Sequence, residues 1–338
     1  MNLPCGLANL GNTCFLNSCV QILIQIEELG IIREFAEGVD ESQVFSAFVE
    51  LQNAMKSETQ IVNPMHFVMT IHRVAHIKKR NIFTGWAQND LQEFLLFIIE
   101  CMHNSKKRAI HVQLNGTVSN ETDDLAIKCY TTLKHNYEKG DYSEIADLFN
   151  GVFVSRLFTP DGTHLHSTRP EIYSILDLPI PSQTARSNLH LMDCLDVFVD
   201  DEIVQDWENE TSRTVEPVKK NIAFWSFPKI LIITLKRYSP DGQSKNDAFV
   251  DFPIDDLDLS KYVIGYKPAS YNYKLFGVAN HMGGVNGGHY TAFVNCFSGT
   301  PGEKWICCND SAVFEIDKSS VVSALAYCLF YRKTGLPR

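Results

Sequence analysis

The chain has 338 residues, room for one large domain or two of about 100–200 residues each. Hydrophobic residues make up 45% and charged residues 21%, which excludes a chain disordered over most of its length. A net charge of −10 argues against a nucleic-acid partner, which calls for a basic footprint, and mildly favours a basic protein partner; a solvated acidic surface fits it equally. No apolar run nears the ~18 residues that span a bilayer, and the N-terminus lacks the basic and apolar regions of a secretory signal. The expectation is a protein without membrane contact, inside the cell, in cytoplasm or nucleus. Ten cysteines with no C-x-x-C spacing give neither a zinc ribbon nor a thioredoxin motif, and most read as buried reduced thiols.

Up to about residue 148 the pattern is mainly helical. After Gly11-Asn12-Thr13-Cys14, the residues Leu16, Cys19, Val20 and Leu23 recur at helical spacing, with Ile22 and Ile26 widening the apolar face. A stronger helix follows: Leu91, Phe94, Leu95, Ile98 and Met102 share one face, and Asp90-x-x-Glu93 ahead of it is a capping-box pattern. Residues 103–142 turn polar and predict exposed loops with one helix around 124–137. From Phe149 onward, short β-rich runs at 230–238, 274–281, 290–297, 304–308, 313–316 and 327–332 alternate with Gly, Pro, Asn and Asp clusters. Helices first and an antiparallel sheet later predict an α+β fold, with the cleft between the two parts as the place for a site.

Three stretches could carry chemistry. In GLANLGNTCFLNS (residues 6–18), Cys14 stands where a Gly/Asn-rich loop meets an apolar helix. Helix N–H groups and dipole lower a thiol pKa, and the thiolate is the nucleophile. The same loop could offer backbone donors to an oxyanion, with the Asn9 amide as a side-chain donor. A buried thiol beside a turn is the ordinary alternative, which Cys5 and Cys19 keep. In HMGGVNGGHY (281–290), four glycines between two histidines make a loop able to move or to admit another backbone. His289, at the start of the next strand, suits a general base, although a plain glycine-rich hairpin would also explain the stretch. In WICCNDS (305–311), Asn309 and Asp310 could orient that imidazole, while Asn-Asp-Ser alone is an ordinary turn. Together the order Cys, His, Asn/Asp suggests a papain-like thiol hydrolase.

These stretches resemble a known family. GLANLGNTCFLNSCVQIL is similar to the cysteine box of the ubiquitin-specific proteases, and HMGGVNGGHYTAFV followed by KWICCNDSAV to their histidine box. WAQNDLQEFLLFII, LFNGVFVSRLF, EIYSILDLPIP, FPKILIITLKRYS and FVDFPID resemble intermediate blocks, in the family's order along nearly the whole chain. The resemblance implies one catalytic domain over 1–338 with a papain-like fold. A helical thumb would run to about residue 148, and a β-rich palm with fingers would follow from about 149.

By this resemblance Cys14 is the nucleophile and His289 the general base. Asn309 takes the third triad position, Asp310 is an assisting or substitute orienter, and Asn9 is the oxyanion side chain. Many members have Asp where this chain has Asn309. An amide can accept the imidazole N–H but cannot offset imidazolium charge, so the division between Asn309 and Asp310 stays open. The resemblance further implies that Asp90 and Glu93 contact arginines of ubiquitin's C-terminal tail. His281, Gly288 and Tyr290 would line the channel for its last two glycines, and 282–288 and 240–247 would be mobile blocking loops. No cofactor is implied. Many members bind zinc in the fingers through two C-x-x-C pairs; here the matching stretches, 158–166 and 207–213, hold no cysteine. No metal is therefore expected, nor fingers of the usual length. Eight acids between Asp193 and Glu210, with no Lys or Arg among them, would face a basic surface of ubiquitin or solvent. The expected activity is thiol-dependent hydrolysis of isopeptide bonds after the Gly-Gly of ubiquitin by a monomer, on ubiquitin or ubiquitin-conjugated proteins. A protease for a ubiquitin-like modifier, a non-catalytic ubiquitin-binding module and a general papain-like endopeptidase are the alternatives.

Overall fold

Strand β1 (Gly6–Leu7) lies parallel to β2 (Ile61–Val62) and hands the chain to α1 (Cys14–Leu23) through a loop with Gly11 and Asn12 at positive φ. The computed structural model describes residues 4–32, 35–57, 61–80, 83–182, 189–209, 213–285, 287–296 and 304–335. Phe297 of one predicted strand, Asn286 of the glycine loop, Glu210 of the acidic run and residues 211–212 of the second finger stretch lie outside these. Every residue of α1 is buried, including Asn17, Ser18 and Gln21, because helices pack on one side of it and a sheet on the other. The neighbouring helices are α2 (Glu27–Ile31), α3 (Asp40–Ser57), α4 (Met65–Ile77) and α5 (Leu91–Asn104). All five residues of the predicted α5 stripe are fully buried. The buried Glu41 in α3 is paired with Lys78 and accepts from Asn104 (3.1 Å), a polar interruption that blurs the α3 stripe in the sequence. The polar stretch does hold one long helix, α6 (Glu121–Glu138), capped by the Asn120 side chain, and α7 (Glu144–Phe149) closes the helical part.

Strands dominate after α7. The antiparallel pair β3 (Gly151–Phe158) and β4 (Leu165–Tyr173) precedes β5 (Leu176–Pro179), β6 (Leu189–His190) and α8 (Leu191–Val199). Next come β7 (Glu202–Glu208), β8 (Val215–Ser226), β9 (Ile230–Lys236), β10 (Val250–Asp251) and β11 (Leu257–Asp258). The last five are β12 (Asn272–Gly284), β13 (Gly287–Cys296), β14 (Lys304–Asn309), β15 (Ala312–Ile316) and β16 (Ala326–Lys333). Four strands in the order β4-β3-β8-β7 make the fingers sheet. The palm sheet runs β15-β14-β13-β12-β16-β9-β5, with β11 on β12. One correction to the expected antiparallel sheet is needed: β5 pairs parallel with β9, because the chain leaves the sheet through the fingers before it returns. The glycine stretch 282–288 also differs from a free loop. Strand pairing continues through Gly283↔Gly288 to Gly284↔Gly287, so most of it is hairpin.

Alternation sorts the palm strands onto two cores. Ile230 and Ile232 face the helices, while Leu231, Ile233 and Leu235 face the other layer with Tyr273, Leu275 and Tyr331. This double burial is why β9 reads as an unbroken apolar run. Among the described residues no helix is long and apolar enough to cross a membrane. Nor is any group of three His, Cys, Asp or Glu placed to hold a metal ion. At the finger ends the His164 and His166 rings pack edge to face at 5.5 Å, and His166 packs on Trp207 at 5.2 Å.

Candidate active site

Cys14 is the first residue of α1, and α1 packs against β13, the strand that carries His289. The backbone N–H of Tyr290, one residue past His289, is directed to the Cys14 sulfur. His289 Nε2 lies 2.7 Å from Asn309 Oδ1, at the end of β14. A carbonyl oxygen only accepts, so this contact places the proton on Nε2 and leaves the Nδ1 lone pair free in the neutral ring. The expected lowering of the Cys14 pKa at a helix start does not occur. Burial pushes the thiol up, aided by the Asp310 charge, and outweighs the N–H groups of Tyr290, Phe15 and Cys14 itself.

Asp310 sits at φ 52 in the two-residue turn between β14 and β15, a position that Asp tolerates. Its carboxylate is 4.0 Å from His289 Nε2 and is held elsewhere: Oδ2 accepts from Asn9 Nδ2 and Oδ1 from Asn17 Nδ2, each at 2.8 Å. Asn9 in turn shapes the loop before Cys14, its Oδ1 accepting from the N–H of Gly11 (2.9 Å) and Thr13 (3.3 Å). Asn17 escaped the sequence reading. The available signal was a polar residue one turn past Cys14 on a mainly apolar helix.

A cleft of about 610 Å³ between helices and sheet is lined by Cys14, Gln88, Asp90, Glu93, His281, Gly288, Tyr290 and others. It brings together Cys14 and all five residues expected to contact a substrate tail. Nine of the ten cysteines are buried and all are free thiols, so burial does not single out Cys14. Its place in the cleft does; burial pushes Cys194, Cys296 and Cys307 up to about 11.

Asp90 is more constrained than its sequence suggested. Oδ1 caps α5 by accepting from the N–H of Gln92 (2.8 Å) and Glu93 (3.2 Å). Oδ2 accepts from the hydroxyls of Tyr290 (3.1 Å) and Tyr327 (2.8 Å). Those four donors fill the roughly four acceptor sites of a carboxylate, so in this state its lone pairs are taken, where the resemblance implied a contact to a substrate arginine. Glu93 is exposed in the cleft, and partial burial plus the Asp90 charge raise its pKa. An incoming cation would reverse that shift. Tyr327 was not picked out in the sequence because it lies 237 residues from Asp90.

His281 is buried against Tyr290 (ring centroids 4.6 Å), with Nδ1 2.9 Å from the Tyr238 hydroxyl. Lys245, from the 240–247 stretch, donates to the carbonyls of His281 (3.1 Å) and Gly283 (3.0 Å), pinning that loop to β12. Burial first, then the Lys245 charge, brings the His281 pKa down to about 4, against the opposing pull of Asp90 and Asp247. Between pH 6.5 and 4 the unfolded chain binds this proton and the folded chain does not. Stability is therefore complete above pH 6.5 and falls as pH drops through that window, by about 3 kcal/mol from this group. Urea midpoints for His281→Gln are expected to fall less than wild type between pH 7 and 4; parallel curves would show that His281 is not the titrating group. The ring also explains Gly288, where a Cβ would lie 2.3 Å from His281 Nε2 and 2.4 Å from the Met282 carbonyl oxygen.

A family model described as ubiquitin carboxyl-terminal hydrolase matches residues 5–331. Ubiquitin carboxyl-terminal hydrolase 2 of Bos taurus is 34% identical, over 98% of this chain and 55% of that protein. Ubiquitin carboxyl-terminal hydrolase 21 of Homo sapiens is 32% identical, over 97% of this chain and 61% of that protein. The chain thus spans a little over half the length of these curated relatives. A chain of the SAGA Ubp8/Sgf11/Sus1/Sgf73 DUB module bound to ubiquitin aldehyde has the same fold, with TM-score 0.68 at 23% identity over 98% of this chain and 70% of that one. With nearly its whole length matched by the family model, this chain belongs to the ubiquitin carboxyl-terminal hydrolase family.

Proposed function

We propose that the chain is a thiol-dependent deubiquitinase that hydrolyses isopeptide bonds after the C-terminal Gly-Gly of ubiquitin, with Cys14 as nucleophile, His289 as general base and Asn309 as its orienter. It rests on one observation: Cys14 at the start of α1 lines the cleft and meets the N–H of Tyr290 on β13, while the preceding residue on that strand, His289, is bound through Nε2 by Asn309 at the end of β14. His289 Nδ1 takes the Cys14 proton as the sulfur adds to the terminal glycine carbonyl. Burial raises the Cys14 thiol pKa, and an imidazole able to take its proton works against that cost. Backbone N–H groups at the α1 start, and the second N–H of the Asn9 amide, hold the oxyanion. The C–N bond breaks as imidazolium gives its proton to the departing lysine amine, leaving a thioester. His289 then takes a proton from water, the water oxygen adds to the thioester carbonyl, and the C–S bond breaks to release ubiquitin's carboxylate and Cys14.

Crowded rings of Tyr238, His281, Tyr290 and Tyr327 around the cleft favour a tail without side chains. Glu93, and Asp90 if its present partners yield, would meet cations farther up that tail. The same reading makes residues 1–338 one catalytic unit acting as a monomer without a cofactor. Ten free thiols support work in a reducing compartment, cytoplasm or nucleus.

Ubiquitin carrying a thiol-reactive C-terminal electrophile tests the proposal. Mass measurement is expected to show one ubiquitin added to wild type and none to Cys14→Ala. A folded wild type that reacts only with a ubiquitin-like modifier would change the substrate. Failure with both would leave a binding module, and casein cleavage would indicate a general endopeptidase.

A further inference from the structure

One side chain of the helical part is bound across the cleft by both of its polar atoms. Gln88, in the loop ahead of α5, accepts from the Gly288 N–H through Oε1 (3.0 Å) and donates to the Gly288 carbonyl through Nε2 (3.2 Å). A carboxamide carries the donor and acceptor of a peptide group. Gln88 therefore pairs with Gly288 as one residue of an added strand would.

The edge it occupies is otherwise open. β13 pairs with β12 throughout its first half, but β14 reaches β13 only from Ala292↔Cys308 onward. Gly288 and Tyr290 are two residues apart, so their backbone groups point to the same side of the strand, about 7 Å from one to the next. At Tyr290 that side holds the Cys14 sulfur. An extended peptide added along this edge would run from Gly288 to the nucleophile, in the manner of strand addition.

We infer that Gln88 is a latch: it fills the place of a substrate peptide group on the open edge of β13 and is released when the tail threads to Cys14. The inference builds on the proposed tail site and names a residue that sets its affinity. Gln88 is exposed and sits in a loop, so water can replace its partners at small cost once it swings out. Its other contact, to Asn12 Oδ1, is long at 3.5 Å. Gly287 makes room for it, since a Cβ there would lie 2.6 Å from Gln88 Oε1. A closed latch weakens apparent binding by the fraction of molecules that are open.

Ubiquitin binding is compared by calorimetry for Cys14→Ala and for Cys14→Ala with Gln88→Ala, alongside hydrogen exchange of the Gly288 amide in both free proteins. The double variant is expected to bind roughly 3- to 10-fold tighter, with faster Gly288 exchange. Equal or weaker binding would overturn the latch and make Gln88 a bystander or a support for the bound tail. Unchanged Gly288 exchange would overturn it as well. If Cys14→Ala binds no ubiquitin, the tail-site reading fails by itself, and the exchange data still decide whether Gln88 occupies the edge.

Discussion

Asn309→Ala is expected to lower kcat on a fluorogenic ubiquitin C-terminal amide by roughly 10²- to 10³-fold, with a much smaller change in KM. The 2.7 Å contact from Asn309 Oδ1 fixes both the tautomer and the plane of His289. Without it Nε2 and Nδ1 compete for the proton, and the ring is free to turn. Asp310 does not substitute readily. To close its 4.0 Å gap to Nε2 it must leave the amides of Asn9 and Asn17, and leaving Asn9 loosens the loop that presents Cys14. Asn309→Asp is expected to retain most of the activity, because a carboxylate accepts the same N–H. A larger kcat loss in Asp310→Ala than in Asn309→Ala would reverse the assignment and make Asp310 the orienter.

At Asp90 the large effect is on stability. Asp90→Ala removes the α5 cap and leaves the hydroxyls of Tyr290 and Tyr327, both more than nine-tenths buried, without their acceptor. Cap loss costs about 1 kcal/mol and each stranded hydroxyl about 1–3 kcal/mol, so the total is expected near 3–7 kcal/mol in urea unfolding. Glu93→Ala, at an exposed position of the same cleft, is expected to leave the midpoint within about 0.5 kcal/mol of wild type and to raise KM instead. An unchanged midpoint in Asp90→Ala would show that its carboxylate is free in solution and available to a substrate arginine.

Much of this fold was legible in local spacing. The α5 stripe and its Asp90 cap, the α1 start at Cys14, and the late palm strands all depend on residues a few positions apart, where a 3.6 or 2.0 periodicity is visible. The α3 helix was harder because it buries Glu41 and Gln52, which have partners only after folding. The glycine stretch suggested a loop from composition. Pairing extends through it because Gly283 and Gly287 take φ of 124° and 147° and let the hairpin close tightly.

The sequence alone named the groups proposed to carry the chemistry: a thiol at a helix start, an imidazole at a strand start, and an Asn-Asp turn, in an order that resembles the family's. Tertiary structure decided which polar atoms of these and neighbouring side chains are already engaged. Asp310 meets Asn17 across 293 residues, Asp90 meets Tyr327 across 237, and Gln88 meets Gly288 across 200. A carboxylate or carboxamide has a fixed number of donors and acceptors, and the neighbours that claim them come from distant strands. Spacing in the chain therefore names the candidates, while packing of the helices on the palm sheet determines which lone pairs and N–H groups remain for a substrate.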